Sequence, residues 1–226
     1  SCSSLTGSAS SSVLANPASV SVTGLQDNRT YYFAVEAKDE AGNTATDDNG
    51  GQCYSFTTPE IPNFFTELFT TDNDLDYLSL TFRPDGSNDY YVGCVESITE
   101  LPVDPAGGTV LSLSDDSYAT VNLTGGTKVH LYGVSYSTFY PGSNGYVTFT
   151  SGDSAYSESL AAHFNRPRIS GLFDDLNPAA GGTVSWKQLA DRVVVTWLNI
   201  REWNTSTTNT FQIEMHFDGT IVISYL

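Results

Sequence analysis

Two stretches decide how this chain is read: Tyr140-Pro-Gly-Ser-Asn-Gly-Tyr-Val-Thr-Phe149 and, after a polar insert, Pro167-Arg-Ile-Ser-Gly-Leu-Phe-Asp-Asp-Leu-Asn-Pro178. Each holds a short apolar run bracketed by turn residues. Asn144-Gly145 is a tight-turn pair feeding an alternating strand, with Tyr146 and Thr148 set against Val147 and Phe149. The second run ends on the paired carboxylates Asp174 and Asp175, followed by Asn177-Pro178. Two roles fit such a pair at a strand end: capping the turn, or binding a cation or a partner's basic group.

Downstream the pattern is a meander. Strands are expected at 183–189, 192–200, 209–217 and 220–226. Val193, Val195 and Trp197 share one face of the second, and Phe211, Ile213, Met215 and Phe217 oppose Gln212, Glu214 and His216 on the third. Asp218-Gly219 predicts a two-residue hairpin between the last two strands. Upstream, strands are expected at 64–69, 77–82, 90–98, 109–113, 118–123 and 128–132, and one helical turn is expected at 157–164. Strands every eight to twelve residues with turns between them describe an all-β sandwich or barrel.

The composition agrees. Of 226 residues, 13 are Tyr, 12 Phe and 19 Gly, and the formal charge is −17. So acidic a surface excludes sequence-independent nucleic-acid binding and docking on anionic lipid, both of which need basic residues. No run of about 18 apolar residues occurs, so no membrane insertion through a helix is expected.

Residues 1–58 read as a separate part. A strand at 19–23 is followed by the turn Leu25-Gln-Asp-Asn-Arg-Thr-Tyr31 and a strand at 31–37, with Tyr31, Phe33, Val35 and Ala37 on its buried face. Asp39-Glu-Ala-Gly-Asn43 is a turn, and residues 53–58 form a last strand closed by Pro59. Leu25 six residues before Tyr31, then that strand and turn, resembles the end of a fibronectin type III domain, in which a corner tyrosine bonds back to the preceding turn. The resemblance implies a partial immunoglobulin-like sandwich whose early strands are expected upstream. Residues 59–63 are a short, stiff linker, and residues 64–226 a larger β-sandwich. Cys2 and Cys53 sit at the two ends of the part-domain and are expected to form a disulfide. The rival pair, Cys53 with Cys94, would staple the two parts.

A second resemblance covers about residue 131 to the end. Its pieces are the 142–149 turn and strand, Phe173-Asp-Asp175, Gly182-Thr-Val-Ser-Trp186, Arg192-Val-Val-Val-Thr-Trp197, Asn209-Thr-Phe-Gln-Ile213 and the closing strand from Asp218 to Tyr225. In that order they resemble the nidogen-like extracellular domain. The chain stops just inside the last strands, so a carboxyl-terminal truncation is expected. The resemblance implies a secreted or cell-surface module with no catalytic residues to carry over.

The residues themselves add little chemistry. His130, His163 and His216 lack zinc-ligand spacing, and no Gly-x-Ser-x-Gly elbow exists, so Ser143 reads as a turn residue rather than a nucleophile. Asp72, Asp74 and Asp76 alternate as a calcium loop does, but Tyr77 and Arg83 stand where an EF-hand needs Gly and Glu. An irregular calcium loop and a solvated hairpin are both open there. Asp115-Asp116 and Asp47-Asp48 are pairs of the kind 26 acidic residues produce by chance. Trp197 reads as core, and Trp203 as exposed. Asn28, Asn122 and Asn204 begin glycosylation acceptor patterns.

The function expected is that of a non-catalytic extracellular structural or adhesive module that spaces, docks or assembles, with calcium as the one candidate cofactor. Its partners would be other modules of the same polypeptide or neighbouring subunits, or else an extracellular protein or polysaccharide. The alternatives are the accessory region of a secreted hydrolase, a protease first, and a carbohydrate-binding module. Asp174, Asp175 and Trp203 are the candidate interaction residues.

Overall fold

The computed structural model describes residues 5–11, 19–20, 22, 25, 29–58, 65–69 and 73–226. The chain divides into two compact units, Ser1–Asn63 and Phe64–Leu226.

In the first unit the segment expected as one strand is two. Strand β1 (Thr30–Phe33) pairs antiparallel with β4 (Tyr54–Thr57), whereas β2 (Val35–Lys38) pairs with β3 (Thr44–Asp47). The break at Ala34 hands the chain from one hairpin partner to another. Strand β3 has no apolar alternation, so its sequence reads as loop. The buried face expected for Phe33, Val35 and Ala37 is corrected: all three are exposed, because no second layer covers these four-residue strands among the described residues. Cross-strand aromatic pairs hold β1 to β4 instead, Tyr31 stacking on Phe56 at 5.8 Å and Phe33 tilting on Tyr54 at 5.5 Å. The strand expected at 19–23 falls partly outside the described residues, and Ser19, Val20 and Val22 are not in a strand.

The second unit is a β-sandwich. Its strands are β5 (Leu78–Pro84), β6 (Tyr91–Ser97), β7 (Thr109–Val110), β8 (Val121–Asn122), β9 (Val129–Leu131), β10 (Val134–Tyr136), β11 (Thr138–Pro141), β12 (Tyr146–Thr148), β13 (Arg168–Ser170), β14 (Leu176–Asn177), β15 (Thr183–Gln188), β16 (Arg192–Glu202), β17 (Thr208–His216) and β18 (Ile221–Tyr225). The large sheet runs β6-β5-β18-β17-β16-β15-β7, with β14 pairing on the far end of β16. The small sheet runs β13-β12-β11-β8, and β9 and β10 form a separate hairpin. A helical turn, α1 (Leu160–His163), lies within the expected 157–164 stretch and is capped by the Ser159 hydroxyl, which accepts from Ala162 N; a 3-10 turn follows at Pro178–Ala180. Residues 65–69 are not in a strand, contrary to expectation.

The core lies between the two sheets. Val193, Val195, Trp197, Phe211, Ile213 and Met215 meet Phe139, Val147 and Ile169 there. Trp197 stacks flat on Phe211, with ring centroids 4.9 Å apart and planes at 11°, and donates its indole N–H to Gly142 O at 3.1 Å. Tyr225 Oη donates to Gly171 O at 2.7 Å. Two polar clamps thus tie the large sheet to the 142–171 region, and each satisfies a group that burial would otherwise penalise.

Three features depart from simple alternation. Gln212 and Glu214, expected to face solvent, are 0% and 1% exposed. Gln212 is covered by the segment after β6: its Oε1 accepts from Val103 N, its Nε2 donates to Val103 O and Thr196 Oγ1. Glu214 accepts from Arg192 Nη1 at 2.7 Å. All of Tyr146, Val147, Thr148 and Phe149 are buried, so β12 has no solvent face. The hairpin expected as two residues is a three-residue loop, Phe217-Asp218-Gly219, since His216 N donates to Thr220 O and Gly219 sits at φ 94°. That is the turn-plus-left-handed-glycine alternative to the two-residue hairpin.

Candidate functional site

The turn at 142–145 is a joint held by backbone and side-chain hydrogen bonds. Ser143 is buried; its Oγ accepts from Ser117 N and its N–H donates to Ser117 O, so its hydroxyl and amide hold a loop. Asn144 is wholly buried. Its Nδ2 donates to Asp116 Oδ1 at 2.9 Å and to Ala155 O at 3.1 Å, while its Oδ1 accepts from Leu176 N at 3.0 Å. One side chain therefore fixes three segments far apart in sequence.

The consequence is a gathering of carboxylates. Asp115, Asp116 and Asp175 each present an oxygen, all within 4.8 Å of one another. Asp115 Oδ1 is buried and has no hydrogen-bond partner among the described residues. Burial raises the Asp175 pKa, and the charges of Asp116, Asp115, Asp174 and Glu158 raise it further. Burial and then the Asp116 charge raise that of Asp115. Each shift says that the ionised group is held at a cost in the folded state, which a bound cation would relieve.

The candidate interaction residues fall in this neighbourhood. Asp174 Oδ1 accepts from Asp175 N at 2.8 Å, and Trp203 N donates to Asp175 O at 2.7 Å. Trp203 is 52% exposed, whereas Trp197 is fully buried and Trp186 packs edge-on against Phe139. The turn-capping role falls to Asn177, whose Oδ1 accepts from Ala179 N, and to Asp174. In the sequence Asp115-Asp116 reads as a chance pair and Asn144 as a turn residue. Nothing in the local pattern signals that either meets Asp175, sixty residues away for Asp115.

The other candidates lie elsewhere. Asp72 lies outside the described residues; Asp74 and Asp76 are exposed and join no carboxylate cluster among the described residues. Cys2 also lies outside them. Cys53 is buried, and Cys94 is free and exposed, so the rival Cys53–Cys94 staple is not formed.

Among the described residues, no acid–base constellation takes shape around the histidines. His130 Nδ1 lies 3.0 Å from Ser135 Oγ, and His216 Nε2 lies 3.9 Å from Glu214 Oε2. His163 Nδ1 is 3.0 Å from Ser170 Oγ, but burial, then the nearby Arg168 charge, lower its pKa to about 4. A group so depressed is a weak base at neutral pH. Arg168 itself is a buried structural cation. It pairs with Asp153 and lies over the rings of Tyr146 and Phe173 at 4.2 and 4.7 Å.

No helix among the described residues is long and apolar enough to cross a membrane. Neither a curated protein nor a solved structure matches the chain. A family described as NIDO related (NIDO_rel), a group of non-catalytic modules typical of extracellular proteins, matches residues 96–226, beginning upstream of the resemblance that starts at about residue 131 and leaving residues 1–95 unmatched. That match spans more than half of the sequence, and the chain belongs to the NIDO-related family.

Proposed function

We propose that this chain is a non-catalytic structural or adhesive module of a larger secreted or cell-surface protein, and that it docks through the face carrying Asp174, Asp175 and Trp203. The observation that supports this reading is the convergence of Asp115, Asp116 and Asp175 within 4.8 Å beside the exposed Trp203. Asp115 and Asp175, whose pKa values burial and neighbouring charge raise, favour a cationic partner group, and an exposed indole gives it an apolar or cation–π neighbour. Calcium, the candidate cofactor, fits this cluster better than Asp74 and Asp76, because an oxygen-only, multi-carboxylate seat is what a hard cation takes. The partners are neighbouring modules or subunits. Residues 1–58 are proposed as the closing strands of a fibronectin type III domain, on the antiparallel β1–β4 pairing and the sequence around Leu25 and Tyr31.

Retention on polysaccharide separates this reading from a carbohydrate-binding module. In affinity electrophoresis against a panel of soluble glucans, galactans and xylans, the wild-type chain and Trp203→Ala are expected to migrate alike. Retardation of the wild type that Trp203→Ala abolishes would replace the docking reading with a sugar-binding one.

A further inference from the structure

The free edge of the large sheet carries a self-complementary pattern. Strand β6 is the end strand, and among the described residues no strand pairs with its outer side. Its register with β5 runs from Leu78↔Ser97 to Pro84↔Tyr91. Just beyond the two ends, Asp85 N donates to Tyr90 O at 3.1 Å and Ile98 N to Tyr77 O at 2.8 Å. Antiparallel pairs alternate between hydrogen-bonded and open positions. Val92, Cys94 and Glu96 therefore commit their backbone groups to β5, and Gly93 and Val95 aim theirs outward. Val92 and Val95 are 52% and 61% exposed, and Cys94 is a free, exposed thiol. Arg83, the cross-strand partner of Val92, is exposed and forms no ion pair among the described residues.

We propose that β6 pairs antiparallel with β6 of a second copy of this chain about a two-fold axis at Cys94. That axis sets Gly93 against Val95 of the second copy, and Val95 against its Gly93, so the outward N–H and C=O groups bond in both directions. Val92 then faces Glu96 of the second copy. Because Arg83 lies beside Val92 on the same face, Arg83, Val92 and that Glu96 form a row. Guanidinium and carboxylate stand two strand spacings apart, roughly 9.6 Å between backbones, a gap two extended side chains close. Symmetry makes this contact twice, and it is the charge complementarity that selects a second copy over an arbitrary strand. An axis on Gly93 or Val95 breaks the row.

The same axis brings the two Cys94 residues together at an open pair, where the Cα atoms lie about 4.5 Å apart, within disulfide reach. A low-molecular-weight disulfide such as oxidised glutathione completes the bond. One Cys94 thiolate attacks it, forming a mixed disulfide and releasing one thiol. The other Cys94 thiolate then displaces the second glutathione, so two protein thiols are oxidised and one disulfide becomes two thiols. The covalent step rests on the extracellular reading, since that is an oxidising setting; the strand pairing does not.

The test uses the full 226-residue chain, reduced and then exposed to oxidised glutathione, as wild type, Arg83→Glu, Glu96→Arg and the double variant. All of these substitutions are at exposed positions. Each single reversal is expected to slow covalent dimerisation at least about fivefold, and the double variant to return within about twofold of wild type. Non-reducing peptide maps should show Cys94 joined to Cys94, and Cys2 joined to Cys53. Equal rates in all four proteins, or a glutathione adduct as the end product, would overturn the pairing and leave the extracellular reading standing. Retention of the parent protein inside the cell would do the reverse.

Discussion

Gly145→Ala unfolds this domain at a temperature lower by about 10 °C or more, or leaves it insoluble, whereas Gly107→Ala costs about 1 kcal/mol. The two glycines share the same backbone conformation, φ 76°, so conformational strain alone does not separate them. Their surroundings do. A Cβ on Gly107 meets nothing within 4 Å, but one on Gly145 would sit 1.8 Å from Leu172 O and 2.7 Å from its carbonyl carbon. Those atoms are backbone and cannot rotate away. Relieving the clash means moving Leu172 and losing the bonds from Gly171 N and Leu172 N to Gly145 O, at 3.0 and 3.2 Å. A steric clash against fixed backbone together with lost buried hydrogen bonds belongs among the largest single-residue effects, about 3 kcal/mol or more. Thermal melts of the two variants side by side check it; equal shifts would show that Leu172 does not confine the turn.

Trp197→Ala is the second large effect. The residue is fully buried, stacks on Phe211 and holds Gly142 O. Removing so large a side chain from a packed core costs about 3–5 kcal/mol, against a total stability of roughly 5–15 kcal/mol for a typical domain. Trp197→Phe separates the two contributions, because it keeps a ring on Phe211 and gives up only the N–H and part of the volume. Its cost is expected to be about 1–2 kcal/mol in urea melts. A Trp197→Phe loss as large as that of Trp197→Ala would place the stabilisation in the Gly142 hydrogen bond rather than in packing.

Both residues lie in or against the stretch from Tyr140 to Pro178, and they show what was legible in the sequence. The apolar alternation of Val193, Val195 and Trp197, and of Phe211, Ile213 and Met215, marks strands β16 and β17 directly, because one face of each meets the other sheet. The opposite face misleads. Gln212 and Glu214 are polar and look solvated, yet a covering segment and Arg192 supply their partners. Alternation reports one covered face; it carries no sign of a second. Strand β3 fails for the converse reason. Thr44–Asp47 is exposed and carries no apolar residue beyond Ala45, so backbone pairing with β2 defines it.

The acidic face was legible only in half. Asp174 and Asp175 stand out as a pair at a strand end, and Trp203 as an indole among polar residues. Their meeting with Asp115 and Asp116 depends on Asn144, whose three hydrogen bonds join residues 116, 155 and 176. A side chain that acts by bridging distant segments has no local pattern to betray it. Asn144 presents itself as half of an Asn-Gly turn, which it also is.

Docking through that face requires that it receive a positive charge. Isothermal titration calorimetry of calcium chloride into the metal-free 226-residue chain asks this directly. The wild type is expected to bind calcium saturably at one site and to melt at a higher temperature with it, and Asp175→Asn, which folds normally because it removes a charge held at raised pKa, to lose both. The absence of saturable heat in the wild type, or heat that Asp175→Asn leaves unchanged, would contradict it.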